Sequence, residues 1–254
     1  MKPRFLISSL TSCSGCISSL VTLDIFPQFL ERTKVQYFNF ISDTKEIKEC
    51  DIALIEGCVS EPPQISLLKI IRKNAKKIYS LGSCAAFGGI LSLSEKKSAE
   101  PISEYIEIDG FFPGCPPPSK LLGNTLIKLI ENIESPIIPP KKNLCATCPL
   151  RDINNFNFET EITKIYPNPN EIITPEENLI CFLKNGILCL GPITREGCEN
   201  ICIAHGIPCE GCMGSVSKDF FADIINFLSL IKISDKLKNY KGIFYRFSKP
   251  KFKE

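Results

Sequence analysis

The chain has 254 residues, 44% of them hydrophobic, and a net charge of +2 at neutral pH. That length and apolar content suit one large domain or two modest ones with a real core. With charge nearly balanced, nothing points to a nucleic-acid partner. The longest apolar runs, such as Ile224 to Ile231, fall well short of the roughly 20 residues of a membrane span.

Met1-Lys2-Pro3-Arg4 runs directly into a first predicted strand, Arg4–Ser9, without the pattern of a signal peptide or a twin-arginine run, so a cytoplasmic location is expected. Further apolar runs bounded by turn signals predict strands at Val35–Ile41, Ile52–Glu56 and Lys77–Leu81. Helical spacing lies between them. Ile17, Leu20 and Val21 open a first helix that Pro27 ends or bends. Ile65, Leu68 and Ile71 follow Pro62-Pro63, a pair suited to a helix start. A last helix after Ser119 buries Leu122, Leu126, Leu129 and Ile130. This alternation predicts an α/β domain over residues 1–139, with a doubly wound parallel sheet covered on both faces.

Pro136, Pro139 and Pro140 mark a linker. Residues 140–254 are expected to form a second, cysteine-rich domain of irregular loops, organised around metal because its apolar content looks thin for a core. A helix from Asp219 to about Ile231 closes it. From Lys232 onward the tail holds eight basic residues against Asp235 and Glu254, a solvated or partner-contacting end.

Fourteen cysteines are present, and twelve sort into three groups of four. The first is Cys13-x2-Cys16, Cys84 and Cys115. The second is Cys145-x2-Cys148, Cys181 and Cys189. The third is Cys198, Cys202 and Cys209-x2-Cys212. Four thiolates are what an iron–sulfur cube takes, one per iron, so three [4Fe–4S] clusters and an electron-transfer role are expected. In a reducing compartment such pairs point to metal rather than disulfides. Cys13 and Cys16 follow the first strand and Cys84 follows the strand ending at Leu81, both at carboxyl ends of parallel strands, where open α/β sheets bind ligands. Gly15, Gly82, Gly88, Gly89 and Gly114 beside them let backbone approach a cluster.

Paired CxxC motifs also make zinc ribbons, but those pair two knuckles across a short hairpin, unlike the spacing of Cys181, Cys189, Cys198 and Cys202. The Gly82–Gly89 stretch lacks both the G-x-G-x-x-G order and the phosphate-loop lysine. Cys50 reads as a small buried apolar residue. Cys58, after Glu56-Gly57, is placed near the first group without a ligand role. His205 is the sole histidine and reads as a surface loop residue; Arg195 either offsets cluster charge or makes a loop ion pair.

Together, Cys13-Ser-Gly-Cys16, Gly82-Ser-Cys84-Ala and Gly114-Cys115-Pro-Pro resemble the small subunit of nickel–iron hydrogenases, as does Cys189-Leu-Gly-Pro … Gly197-Cys198 … Pro208-Cys209-Glu-Gly-Cys212. The likeness runs to about residue 231. It implies a flavodoxin-like first domain, then a small iron–sulfur domain and a C-terminal helix. It also implies Cys13, Cys16, Cys84 and Cys115 as ligands of a proximal cluster. Cys198, Cys202, Cys209 and Cys212 would hold a medial cluster, and Cys145, Cys148, Cys181 and Cys189 a distal one. The all-cysteine set is similar to the cytoplasmic group that includes sulfhydrogenases, NADP-linked enzymes and viologen-reducing methanogen hydrogenases.

In that family the nickel–iron site sits on a separate large subunit, and a further flavin or iron–sulfur subunit passes electrons on. No catalytic residue is therefore expected in this chain. Two alternatives stay open at this point. One is a complex-I-like subunit feeding a quinone, which would carry two adjacent cysteines that this chain lacks. The other is a zinc-stabilised structural protein.

Overall fold

The computed structural model describes residues 2–42, 46–94, 99–131, 140–151, 161–167, 180–217, 220–238, 242–244 and 246–247. The chain divides into two compact units, Met1–Pro139 together with Phe247–Glu254, and Pro140–Arg246.

The first unit is built on β1 (Arg4–Ser9), β2 (Lys34–Phe38), β3 (Cys50–Glu56), β4 (Ala75–Leu81) and β5 (Gly110–Phe112). All four strand pairings are parallel, and the order is β2-β1-β3-β4-β5. This is the flavodoxin-like winding, with its reversal of strand order between β1 and β3. β3 is buried along nearly its whole length, from Ile52 to Glu56, as a strand covered on both faces must be.

Helices α1 (Gly15–Val21), α2 (Phe26–Arg32) and α5 (Ser119–Ile130) enclose one apolar cluster with Phe5, Ile7, Leu54 and Phe112. A second cluster collects Leu6, Ile55, Leu68, Ile71 and Ile78 beneath α3 (Pro62–Asn74). Pro27 does not bend the first helix. It sits in the first turn of a separate one, α2, where its missing N–H costs nothing. Pro62 and Pro63 open α3 as expected, behind a capping box of Glu61 and Gln64. The three-residue β5 and the short α4 (Gly82–Phe87), which directly continues β4, were among the elements not predicted.

The second unit corrects one expectation. It has an apolar core of its own, with Phe182 and Phe227 each 2% exposed among Leu144, Ile162, Leu188, Leu190 and Ile193. Loops contribute most of these residues one or two at a time, so no periodicity announces them. Regular structure is sparse: β6 (Glu161–Ile162) pairs in parallel with β7 (Lys232–Ile233), and α6 (Ile201–Ala204) and α7 (Phe220–Leu230) supply the helices. α7 answers to the predicted C-terminal helix, although Asp219 lies outside the described residues, as do Pro136, Pro139 and most of the basic tail. Among the described residues, no helix is long and apolar enough to cross a membrane.

Candidate metal centres

The first site forms where strand order reverses. Cys13 and Cys16 enter from the turn between β1 and α1, Cys84 from α4 after β4, and Cys115 from the loop between β5 and α5. Burial, then Glu56, then the thiols of Cys84, Cys115 and Cys13 push the Cys16 thiol up. Cys84 is pushed up to about 12, again by burial first. Cys13 and Cys115 are the exposed members. The four sequence-predicted thiols thus lie close enough to act on one another, with Cys16 buried, Cys84 half-buried, and Cys13 and Cys115 at the surface.

Backbone approaches these sulfurs closely. Gly82 has φ +83°, and a Cβ there would stand 2.2 Å from Cys16 Sγ; at Gly89 it would stand 2.4 Å from Cys84 Sγ. Glycine is therefore required on steric grounds at both positions. Ser83 N–H donates to Gly114 O at 2.9 Å, tying the Cys84 segment to the Cys115 loop.

Glu56 is a component that sequence reasoning missed. Its side chain is 1% exposed, and its carboxylate accepts from the backbone N–H groups of Cys16 (2.9 Å) and Ile17 (3.3 Å). It also accepts from the hydroxyls of Ser9 (2.8 Å) and Ser12 (3.1 Å). Those two amides belong to the first turn of α1, which has no side-chain cap of its own. Glu56 caps that turn from across the sheet, and its charge complements the helix N-terminus. An acidic residue ending an otherwise apolar stretch, Asp51-Ile-Ala-Leu-Ile-Glu56, was the available signal.

In the second unit Cys145, Cys148, Cys181 and Cys189 come together: after burial, the thiols of Cys189, Cys148 and Cys181 all push that of Cys145 up. Cys189 is pushed up to about 12 by burial foremost. Cys145, Cys148 and Cys181 line a cavity of about 400 Å³ whose wall also carries Arg151, Lys184 and Phe227. A Cβ on Gly191 would lie 3.2 Å from Cys145 Sγ and 3.6 Å from Cys189 Sγ. In the third group Cys198 feels Cys202, and Cys209 feels Cys212. Cys209 also feels Cys189, and its N–H donates to Cys189 Sγ at 3.4 Å, so these two predicted groups adjoin.

His205 is exposed at the end of α6, where Nδ1 pairs with Ile201 O at 2.8 Å. Arg195 is 9% exposed and donates to the backbone carbonyls of Pro140 and Ser215, each at 2.6 Å. Cys50 lies at the opposite end of β3 from Glu56, and burial pushes its thiol up to about 11.

Among the described residues, no three His, Cys, Asp or Glu side chains close on a single metal ion. The thiols stand in wider groups, and the chemistry of the donor set fits iron–sulfur clusters: soft sulfur donors without an imidazole among them, and glycine backbone pressed against the sulfurs. Binding would deprotonate thiols that burial otherwise keeps protonated, so loading would release protons.

Comparison with known proteins decides the family. A family model described as NADH ubiquinone oxidoreductase, 20 Kd subunit, matches residues 13–129. A subunit of the F420-non-reducing hydrogenase vhu of Methanococcus voltae is 30% identical, with the match covering 98% of this chain and 96% of that one. Its namesake in Methanocaldococcus jannaschii is 31% identical over 90% of each chain. The chain belongs to the nickel–iron hydrogenase small-subunit family. It is thereby an electron-transfer subunit of a hydrogenase complex that includes a large catalytic subunit, and small subunits of this family carry iron–sulfur clusters. The fold agrees. A solved [NiFeSe] hydrogenase from Desulfovibrio vulgaris Hildenborough superposes with a TM-score of 0.62, covering 84% of this small subunit and 93% of that chain, at 16% identity.

Proposed function

We propose that this small subunit relays electrons through three [4Fe–4S] clusters between the large subunit's nickel–iron site and a further flavin- or iron–sulfur-bearing subunit in the cytoplasm. The observation that carries the reading is the meeting of Cys13, Cys16, Cys84 and Cys115 at the strand reversal of the first unit. When bound, a cluster supplies one-electron chemistry at a potential set by its ligands and surroundings. The chain's own residues would hold it between buried Cys16 and the surface-facing Cys13 and Cys115, and bring backbone against its ligand sulfurs. Glu56 adds a buried negative charge nearby, which favours the oxidised form.

Cys145, Cys148, Cys181 and Cys189 are assigned to the distal cluster, and Cys198, Cys202, Cys209 and Cys212 to the medial one. The nearness of Cys189 and Cys209 supports two clusters in sequence within the second unit. Relatives named F420-non-reducing hydrogenase favour an acceptor other than the deazaflavin F420.

The test is iron, zinc and acid-labile sulfide on the anaerobically purified complex, with EPR before and after hydrogen. About twelve irons attributable to this subunit and reduced by hydrogen are expected. Zinc with little sulfide would overturn the reading. So would hydrogen-dependent dye reduction undiminished in Cys16→Ala.

A further inference from the structure

Cys58 is the cysteine near the first site that the cluster assignment leaves without a task. It is fully buried, two residues beyond Glu56. Glu56 pairs with Leu81 across β3 and β4, and Cys84 lies three residues beyond Leu81. Cys58 and Cys84 therefore leave the same edge of neighbouring strands. The loop after β1 fixes Cys58 in place. Thr11 N–H donates to Cys58 O at 3.2 Å, Cys58 N–H donates to Thr11 O at 3.0 Å, and Cys58 Sγ reaches the same carbonyl at 3.5 Å.

Thr11 is itself clamped by the Ser60 hydroxyl at 2.6 Å and the Gln64 amide at 2.8 Å, and it precedes Cys13 by two residues. The fifth thiol thus sits between the segment bearing Cys13 and Cys16 and the segment bearing Cys84. After burial, Cys58 is the group that acts most strongly on Cys84, ahead of Cys115 and Cys13. Cys50, buried at the other end of β3, is acted on instead by Asp51, Arg4 and Arg72.

We propose that Cys58 is a reserve ligand of the first site, placed to take the iron corner assigned to Cys84 when that thiolate is lost or displaced. The inference rests on the cluster assignment made under the proposed function. In the exchange an iron–sulfur bond to Cys84 breaks and one to Cys58 forms. The Cys58 thiol gives up a proton, the displaced Cys84 sulfur takes one, and no electron moves. A site so equipped exchanges a ligand where a four-thiol site would lose iron.

The test uses the whole complex, purified anaerobically from cells carrying Cys84→Ala, Cys58→Ala, the double variant, or Cys16→Ala as reference. The readouts are iron per complex, low-temperature EPR, and co-purification with the partner subunits. Cys58→Ala should keep the wild-type iron count. Cys84→Ala should keep it too, with altered g-values, whereas the double variant should lose about four irons. Cys84→Ser, closer in volume, is read in the same way.

Loss of those irons, or of assembly, in both single Cys84 variants to the extent seen in the double variant overturns the proposal. Wild-type complex lacking hydrogen-reducible iron in this subunit would instead overturn the cluster assignment itself, so the two failures are distinguishable.

Discussion

Replacing Gly82 by alanine tests how closely the first site is built. Gly82 has φ +83°, and its added methyl would stand 2.2 Å from Cys16 Sγ. The left-handed backbone alone costs roughly 1–2 kcal/mol for a residue with a Cβ. The overlap adds to this, because a carbon and a sulfur in contact need more than about 3 Å. Cys16 is 7% exposed, with little room to withdraw. The complex should therefore lose iron selectively from the first site, visible as a missing EPR component, and unfold at lower temperature. Gly123→Ala is the internal control. It lies within α5, and its nearest contact would be Ile25 Cδ1 at 3.8 Å. That change should leave iron untouched and be neutral or stabilising by about 0.5–1 kcal/mol. Equal iron and equal EPR in Gly82→Ala and Gly123→Ala would refute the steric argument.

Glu56→Gln keeps the acceptor oxygen for the Cys16 and Ile17 amides but removes a buried charge. Loss of that negative charge favours the reduced form, so the first cluster's potential should rise by roughly tens of mV in a redox titration. Gly191→Ala brings a methyl to 3.2 Å from Cys145 Sγ, which asks for a shift of only tenths of an ångström, so iron in the second unit should fall partially rather than vanish. Cys50→Ala should leave iron and spectra unchanged, at a cost of about 1 kcal/mol in stability. The Asp51 carboxyl, held well below the usual carboxylate range by Arg4 and Lys76, contributes stability that is fully present above about pH 4 and is lost as pH falls through its lower folded value. Asp51→Asn should therefore unfold earlier than wild type at pH 7, with the gap closing in acid; a gap constant with pH would contradict this.

Much of the first unit was legible because its signals are local. Arg4–Ser9 reads as a strand because an apolar run, Phe5-Leu-Ile7, is followed by small residues and then a turn, and all six positions prove buried or half-buried. Pro62-Pro63 marks a helix start by proline's own geometry. β5 was missed because three residues carry no period, and α4 because Gly82-Ser-Cys-Ala-Ala-Phe reads as a glycine-rich loop until β4 runs straight into it. The four thiols assigned to the first site were grouped from their spacing in the sequence. Glu56 was missed, because its four partners are 39 to 47 residues away in sequence, and only the pairing of β1 with β3 brings them together. The core of the second unit escaped for the same reason: Phe182 and Phe227 share one apolar cluster and are strangers in sequence.

The backbone joining Cys189 to Cys209 has a consequence of its own. Cys209 N–H donates to Cys189 Sγ at 3.4 Å, and Leu190 N–H returns to Cys209 O at 2.9 Å. With both cysteines as ligands, a single peptide amide connects two neighbouring redox centres. Reduction of one would place added negative charge beside the other and raise the cost of reducing it. The two centres would then titrate as an anticooperative pair, and an electron leaving one would make the other readier to accept the next.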